Sequence, residues 1–136
     1  MTNRIISKLD YQRLKQRIEQ ATTNTRISPV QIMKLLQGVN DATLLDPIKM
    51  PADVVTMNSV ISLEYVDTGR NLDVCLVYPE EADSVQNRIS IFAPLATALL
   101  GCKRGALAKL TTPFGSVNVR IAQILYQPEA AGDFTR

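Results

Sequence analysis

Residues 89–101 read Ile89-Ser90-Ile91-Phe92-Ala93-Pro94-Leu95-Ala96-Thr97-Ala98-Leu99-Leu100-Gly101. The short apolar run predicts a buried strand. Pro94, with its fixed φ and no N–H to leave unpaired, opens a helix of about two turns, and Gly101 stops it. Leu99 and Leu100 read as core contacts just before the cap, while Pro94 and Leu95 read as more exposed. By itself this strand–proline–helix corner carries little polar chemistry.

Upstream of the corner, Val60-Ile61-Ser62-Leu63-Glu64-Tyr65-Val66 alternates apolar and polar, the pattern of a half-buried strand. Asp67-Thr68-Gly69 predicts a hairpin turn. Leu72, Val74, Leu76 and Tyr78 give the next strand its inward face, and Pro79–Ser84 is a polar loop. Residues 88–92 form a third strand and 106–112 a fourth, with a turn at Pro113-Phe114-Gly115. In the last strand, 117–126, Val117, Val119 and Ile121 share one phase and Ile124 and Tyr126 the other, which predicts a bulge.

The first 46 residues follow a different period. Tyr11, Leu14, Ile18 and Ala21 keep three-four spacing and predict a helix over 9–21. Asp10 is the expected N-cap, with Leu9 packing on Leu14 as a staple. Ser28-Pro29 starts a second helix, expected to run to about Leu45, with Ile32, Leu35, Leu36 and Val39 as its stripe. Gly38 weakens that helix by about 1 kcal/mol relative to alanine. Asp46-Pro47-Ile48-Lys49-Met50-Pro51 is the linker, because two prolines enforce extended backbone. The expected architecture is α+β: a short N-terminal antiparallel helical hairpin (1–46), then an antiparallel sheet domain with one short helix (47–136).

Composition narrows function. The 136 residues are 46% hydrophobic and 21% charged, the balance of a folded domain. No apolar run approaches the roughly 20 residues that span a bilayer, and the N-terminus is too short and polar for a signal peptide, so a cytoplasmic protein is expected. Histidine is absent, which removes imidazole-based nucleophile pairs and His-ligated zinc. Cys75 reads as a small packing residue in a strand. Cys102 lies beside Lys103 and Arg104, cations that favour a thiolate, but no base accompanies it. Residues 1–50 hold eight Lys or Arg against four Asp or Glu, and residues 51–136 seven against nine, so the N-terminal part is the basic one.

Several pieces occur in a specific order and spacing: Tyr65-Val66-Asp67-Thr68-Gly69, Pro79-Glu80-Glu81-Ala82-Asp83, Arg88-Ile89-Ser90-Ile91, Ala93-Pro94-Leu95, Ala98-Leu99-Leu100-Gly101 and Ile124-Leu125-Tyr126. Through them, residues 53–127 resemble the C-terminal domain of the Gre transcript-cleavage factors, the GreA/GreB family. Met50–Ser59 and Tyr126–Asp133 look more like one branch of it, described as regulators of nucleoside diphosphate kinase.

The resemblance implies an FKBP-like fold for the sheet domain. It also implies docking on RNA polymerase, at the rim helices of the β′ subunit beside the secondary channel. Polymerase binding is carried over to Ala93, Pro94, Leu95 and Thr97. The family usually has serine where this chain has Ala93 and arginine where it has Thr97. Gre factors insert a long coiled coil whose acidic tip helps hold a catalytic Mg²⁺, an ion that needs oxygen ligands. Here the helices are short, and Ala21-Thr22-Thr23-Asn24-Thr25-Arg26-Ile27-Ser28 contains no carboxylate. The expectation is a non-enzymatic polymerase-binding regulator with no cofactor, metal, small-molecule substrate or membrane partner, competing with Gre factors.

The alternatives are a true Gre-like cleavage factor and an FKBP-type peptidyl-prolyl isomerase. The isomerase would need an aromatic-lined pocket, and this chain has no Trp, three Phe and four Tyr, scattered throughout. The basic first helix (Lys8, Arg13, Lys15, Arg17) offers weak support for DNA contact, with no groove-reading motif, and suits an acidic polymerase surface as well.

Overall fold

The structure, a computed structural model, describes residues 4–23, 27–112 and 115–132. The expected tip residues Asn24, Thr25 and Arg26, the turn residues Pro113 and Phe114, and Asp133 in the tail lie outside the described residues.

Strand β1 (Ile5–Ser7) leads directly into helix α1 (Lys8–Ala21). Leu14, Ile18 and Ala21 are buried at the expected spacing. The cap differs from expectation: the Ser7 hydroxyl accepts from the Asp10 N–H at 3.0 Å. Ser7 and Asp10 are both good capping residues three positions apart. Pairing of β1 decides between them, because it holds Ser7 extended and buried. Asp10 then turns inward and accepts from the Met57 N–H at 3.2 Å.

Helix α2 (Pro29–Asn40) starts at the predicted Ser28-Pro29 signal and packs on α1. It ends five residues before the expected Leu45. Strand β2 (Thr43–Leu45) pairs in parallel with β1, and the Thr43 N–H reaches the Arg4 carbonyl at 2.9 Å. A partner strand distant in sequence therefore overrides the helical reading of 41–45.

The second half forms a five-stranded sheet from β3 (Val60–Tyr65), β4 (Arg70–Val77), β5 (Arg88–Ser90), β6 (Leu107–Thr112) and β7 (Gly115–Tyr126), in the order β5-β4-β3-β7-β6. It is mixed, where an antiparallel sheet was expected. β5 runs parallel to β4, with Cys75 opposite Arg88 and Val77 opposite Ser90. The intervening residues 78–87, with short helical turns at Pro79–Glu81 and Ser84–Gln86, carry the chain back beside Cys75 so that it re-enters in the same direction. The bulge expected in the last strand is present. The register of β7 against β3 shifts at Val60/Ile61 and again at Ser62/Leu63. These shifts let Val119 and Ile121 fill the core while Ile124 packs against it too.

Helix α3 (Pro94–Leu99) and the short α4 (Pro128–Ala131) complete the chain. One apolar core runs through both halves. It joins Leu14, Ile18, Leu35 and Val39 of the helices to Ile61, Leu76 and Ile121 of the sheet and to Ile91, Leu99 and Leu100 of the corner. Each such side chain contributes about 1.5–3 kcal/mol when fully buried.

Candidate functional site

The corner is built from the core outward. Ile91 and Phe92 are buried, and the Ile91 N–H bonds the Val77 carbonyl beside β4 at 2.9 Å. Ala93, extended at φ −67° and ψ 140°, is the N-cap residue of α3, and Pro94 opens the helix. Leu99 and Leu100 point inward as the sequence indicated, and Ala96 is buried with them. Pro94 is exposed, and Ala93 and Leu95 are half-buried.

Thr97 is 6% exposed and differs from the other three candidate contacts. Its hydroxyl donates to the Ile91 carbonyl at 2.7 Å and accepts from the Gln31 amide of α2 at 2.8 Å. Its own carbonyl accepts from the Arg4 guanidinium at 2.8 Å. Thr97 therefore ties the corner to α2 and to the N-terminal segment. Neither Arg4 nor Gln31 was marked by sequence, because each meets the corner only through the tertiary fold. Thr97→Val should destabilise the protein by about 1–3 kcal/mol, since the Ile91 carbonyl and the Gln31 amide lose a buried partner. Urea unfolding at neutral pH reads this directly.

Gly101 adopts φ +79°. A Cβ there would lie 3.1 Å from the Ile5 carbonyl and 3.0 Å from the Arg4 Cβ. Its N–H bonds the Val55 carbonyl and its carbonyl accepts from the Ile5 N–H. The glycine is thus a crossing point of three segments as well as a helix stop.

A second assembly lies behind the corner. Residues 54–59 form a fully buried strap. Gln127 donates to the carbonyls of Pro51 and Val54, both at 2.7 Å, and Thr56 donates to the Glu129 carboxylate at 2.8 Å. Met50–Ser59 and the chain after Tyr126, singled out together in sequence, are therefore in contact.

The charges of the first helix have partners within the fold. Lys8 pairs with Asp46 at 3.3 Å. Arg17 pairs with Glu80, stacks over the Tyr78 ring, and holds the Glu80 carboxyl below its usual range. Lys15 lies 6.0 Å from the Tyr11 ring centre. Arg13 lies near the buried carboxyl of Asp10 and the Tyr78 hydroxyl. The sequence-level idea of a reactive Cys102 gains nothing from the structure. Burial pushes its thiol up, against a weaker opposing effect of Arg4, and the thiol points at the Ala98 carbonyl.

Among the described residues no group of three or more Cys, Asp or Glu side chains is arranged to hold a metal ion. No helix of the described residues is long and apolar enough to cross a membrane. A more apolar pocket at the β3–β4 turn, lined by Tyr65, Leu72 and Val117 with polar turn residues, contains a single aromatic ring.

Residues 50–126 match the family model described as transcription elongation factor, GreA/GreB, C-terminal. This chain belongs to the GreA/GreB family. It is 33% identical over 132 residues to the regulator of nucleoside diphosphate kinase from Escherichia coli K12, covering 96% of this chain and 94% of that protein. Against transcription elongation factor GreA from Azorhizobium caulinodans the identity is 31% over 94 residues, which is 69% of this chain and 60% of GreA. Among solved structures, a GreA/GreB elongation factor from Nitrosomonas europaea superposes with a TM-score of 0.75 at 32% identity, covering 93% of this chain and all of that one. The GreA/GreB match spans the whole corner, the strap and the five-stranded sheet. The similarity to the Escherichia coli regulator extends over the two helices as well.

Proposed function

We propose that this chain is a non-enzymatic transcription regulator. It docks on RNA polymerase at the secondary-channel entrance, against the rim helices of the β′ subunit, and does not stimulate transcript cleavage. Residues 1–46 serve as a shortened version of the Gre coiled coil, and the protein acts in the cytoplasm, where its partner is.

The length of the two helices carries this reading. α1 has 14 residues and α2 has 12. At 1.5 Å per residue they extend only about 21 and 18 Å. The chain between them, 22–28, has no carboxylate in its sequence to share a Mg²⁺ ion. A factor of this shape suits the channel mouth and lacks the groups needed at a buried active site. Ala93, Pro94 and Leu95 are its contacts. Thr97 acts from behind them, through Gln31 and Arg4. The small apolar contact suits a modest, reversible interface. Any effect on nucleoside diphosphate kinase, of the kind named for the Escherichia coli relative, would then arise through transcription.

Two measurements test this. In stalled, backtracked elongation complexes the protein should release no cleaved RNA, and in excess it should inhibit cleavage stimulated by GreA. Cleavage at GreA-like levels overturns the non-enzymatic reading. In a pull-down with core polymerase, Pro94→Asp and Leu95→Asp should each bind about tenfold more weakly, because a charge is buried without a partner. Full retention of binding by both variants removes the corner as the docking site.

A further inference from the structure

Between α2, α3 and β6 lies a pocket of about 330 Å³. Its lining brings together three cations, Arg4, Lys34 and Lys109, and one carboxylate, Asp41, with the amides of Gln31 and Gln37. Among the described residues, none of these four charged groups makes an ion pair. A concave surface with an excess of two positive charges concentrates field and attracts anions.

Arg4 is built into this pocket. One guanidinium nitrogen donates to the Thr97 carbonyl at 2.8 Å, and Nε is buried with no hydrogen-bond partner. Gly38 faces it from the last turn of α2. A Cβ at that position would come within 2.7 Å of the Arg4 Nη1. Glycine costs a helix interior about 1 kcal/mol relative to alanine. Here that cost coincides with the one place where the guanidinium occupies the side-chain space. The helix-weakening glycine noted in the sequence therefore lies directly against this cation.

We propose that the pocket binds a small phosphate-bearing anion. Arg4 holds a fixed positive charge in the wall, with the guanidinium N–H groups not used by Thr97 as donors to phosphate oxygens, and Lys34 of α2 and Lys109 of β6 add point charges. Asp41, Gln31 and Gln37 are available to hydroxyl or amino groups on the rest of the ligand. The volume falls at the lower end of the range for small-molecule sites, about 300–1,000 Å³. Pro94 and Thr97 also line the pocket, so it shares a wall with the corner. The proposal does not depend on polymerase docking and is tested on the free, full-length chain.

The test is calorimetric titration with inorganic pyrophosphate, and with citrate as a carboxylate of comparable charge. Pyrophosphate should bind at one saturable site per chain. The Lys34→Ala/Lys109→Ala double variant should weaken binding about tenfold or more through loss of two charge-assisted contacts. A Lys49→Ala/Lys103→Ala variant, which removes equal charge elsewhere, should stay within roughly twofold of the parent. Arg4→Lys, which keeps the charge and loses the planar guanidinium, should weaken pyrophosphate binding severalfold. Absence of saturable binding at millimolar pyrophosphate overturns the proposal. So does an equal loss in both lysine pairs, which signals diffuse attraction. Citrate binding as tightly as pyrophosphate overturns the phosphate assignment.

Discussion

Asp10→Asn should flatten the pH dependence of stability between about pH 4 and pH 7 and leave the protein more stable than its parent at about pH 8. Asp10 is 2% exposed, in the first turn of α1, facing the 54–59 strap. Burial lifts its carboxyl from the ordinary 3.8 to about 7, and the nearby Glu129 carboxylate adds to the effect. The Met57 N–H, the Arg13 guanidinium and the Ser7 hydroxyl oppose it and are outweighed. The Tyr78 hydroxyl faces the same group, and burial pushes it up as well.

The sign follows from which state holds the proton more tightly. A carboxyl with a raised folded value stays neutral in the fold at a pH where the unfolded chain has already ionised. Its contribution is complete below about pH 4 and is lost as pH rises towards 7. At about 1.4 kcal/mol per pH unit, the interval from 3.8 to about 7 sets an upper limit of roughly 4 kcal/mol. Asparagine keeps an acceptor for the Met57 N–H and never ionises. Urea midpoints at pH 5 and pH 8, with unchanged slopes, read the difference. Parallel pH profiles for parent and variant would remove Asp10 as its origin.

Leu35→Ala should cost about 2–5 kcal/mol, among the largest single-residue losses available in this fold. Leu35 is 0% exposed and belongs to the cluster that joins the helices to the sheet. Removing its branched end loses transfer energy and leaves a cavity that close-packed neighbours only partly fill. The measurable consequence goes beyond stability. Leu35 lies one helical turn from Gln31, whose amide holds Thr97. A loosened α2 should weaken polymerase binding even at a temperature where the variant is fully folded. A loss below about 1 kcal/mol would mean that α2 contributes little to the common core.

The parts legible in sequence share one property: their signal is local. The apolar stripes of α1 and α2, the alternation in β3 and β4, the phase change in β7 and the Pro94 helix start all come from repeats a few residues long. Leu99 and Leu100 were readable as core for the same reason. What was misread depended on a distant partner. Asp10 looked like a cap until β1 made Ser7 the cap. Residues 43–45 looked helical until β1 paired with them. β5 was read as antiparallel with the rest, because a polar loop does not record which way the chain returns.

The candidate contacts divide on the same line. The order of residues around Pro94 determined the corner, because a fixed φ and a glycine stop leave few alternatives for the backbone. Only the tertiary structure turned Thr97 inward. Only the tertiary structure brought Gln31 and Arg4, 66 and 93 residues away in sequence, onto it. The same holds for Gly38, a local weakness in the sequence that comes to face a guanidinium once α2 lies beside the N-terminal segment. Chain order encodes periodicity and backbone freedom, whereas a buried polar group finds its partner only after the core has closed around it.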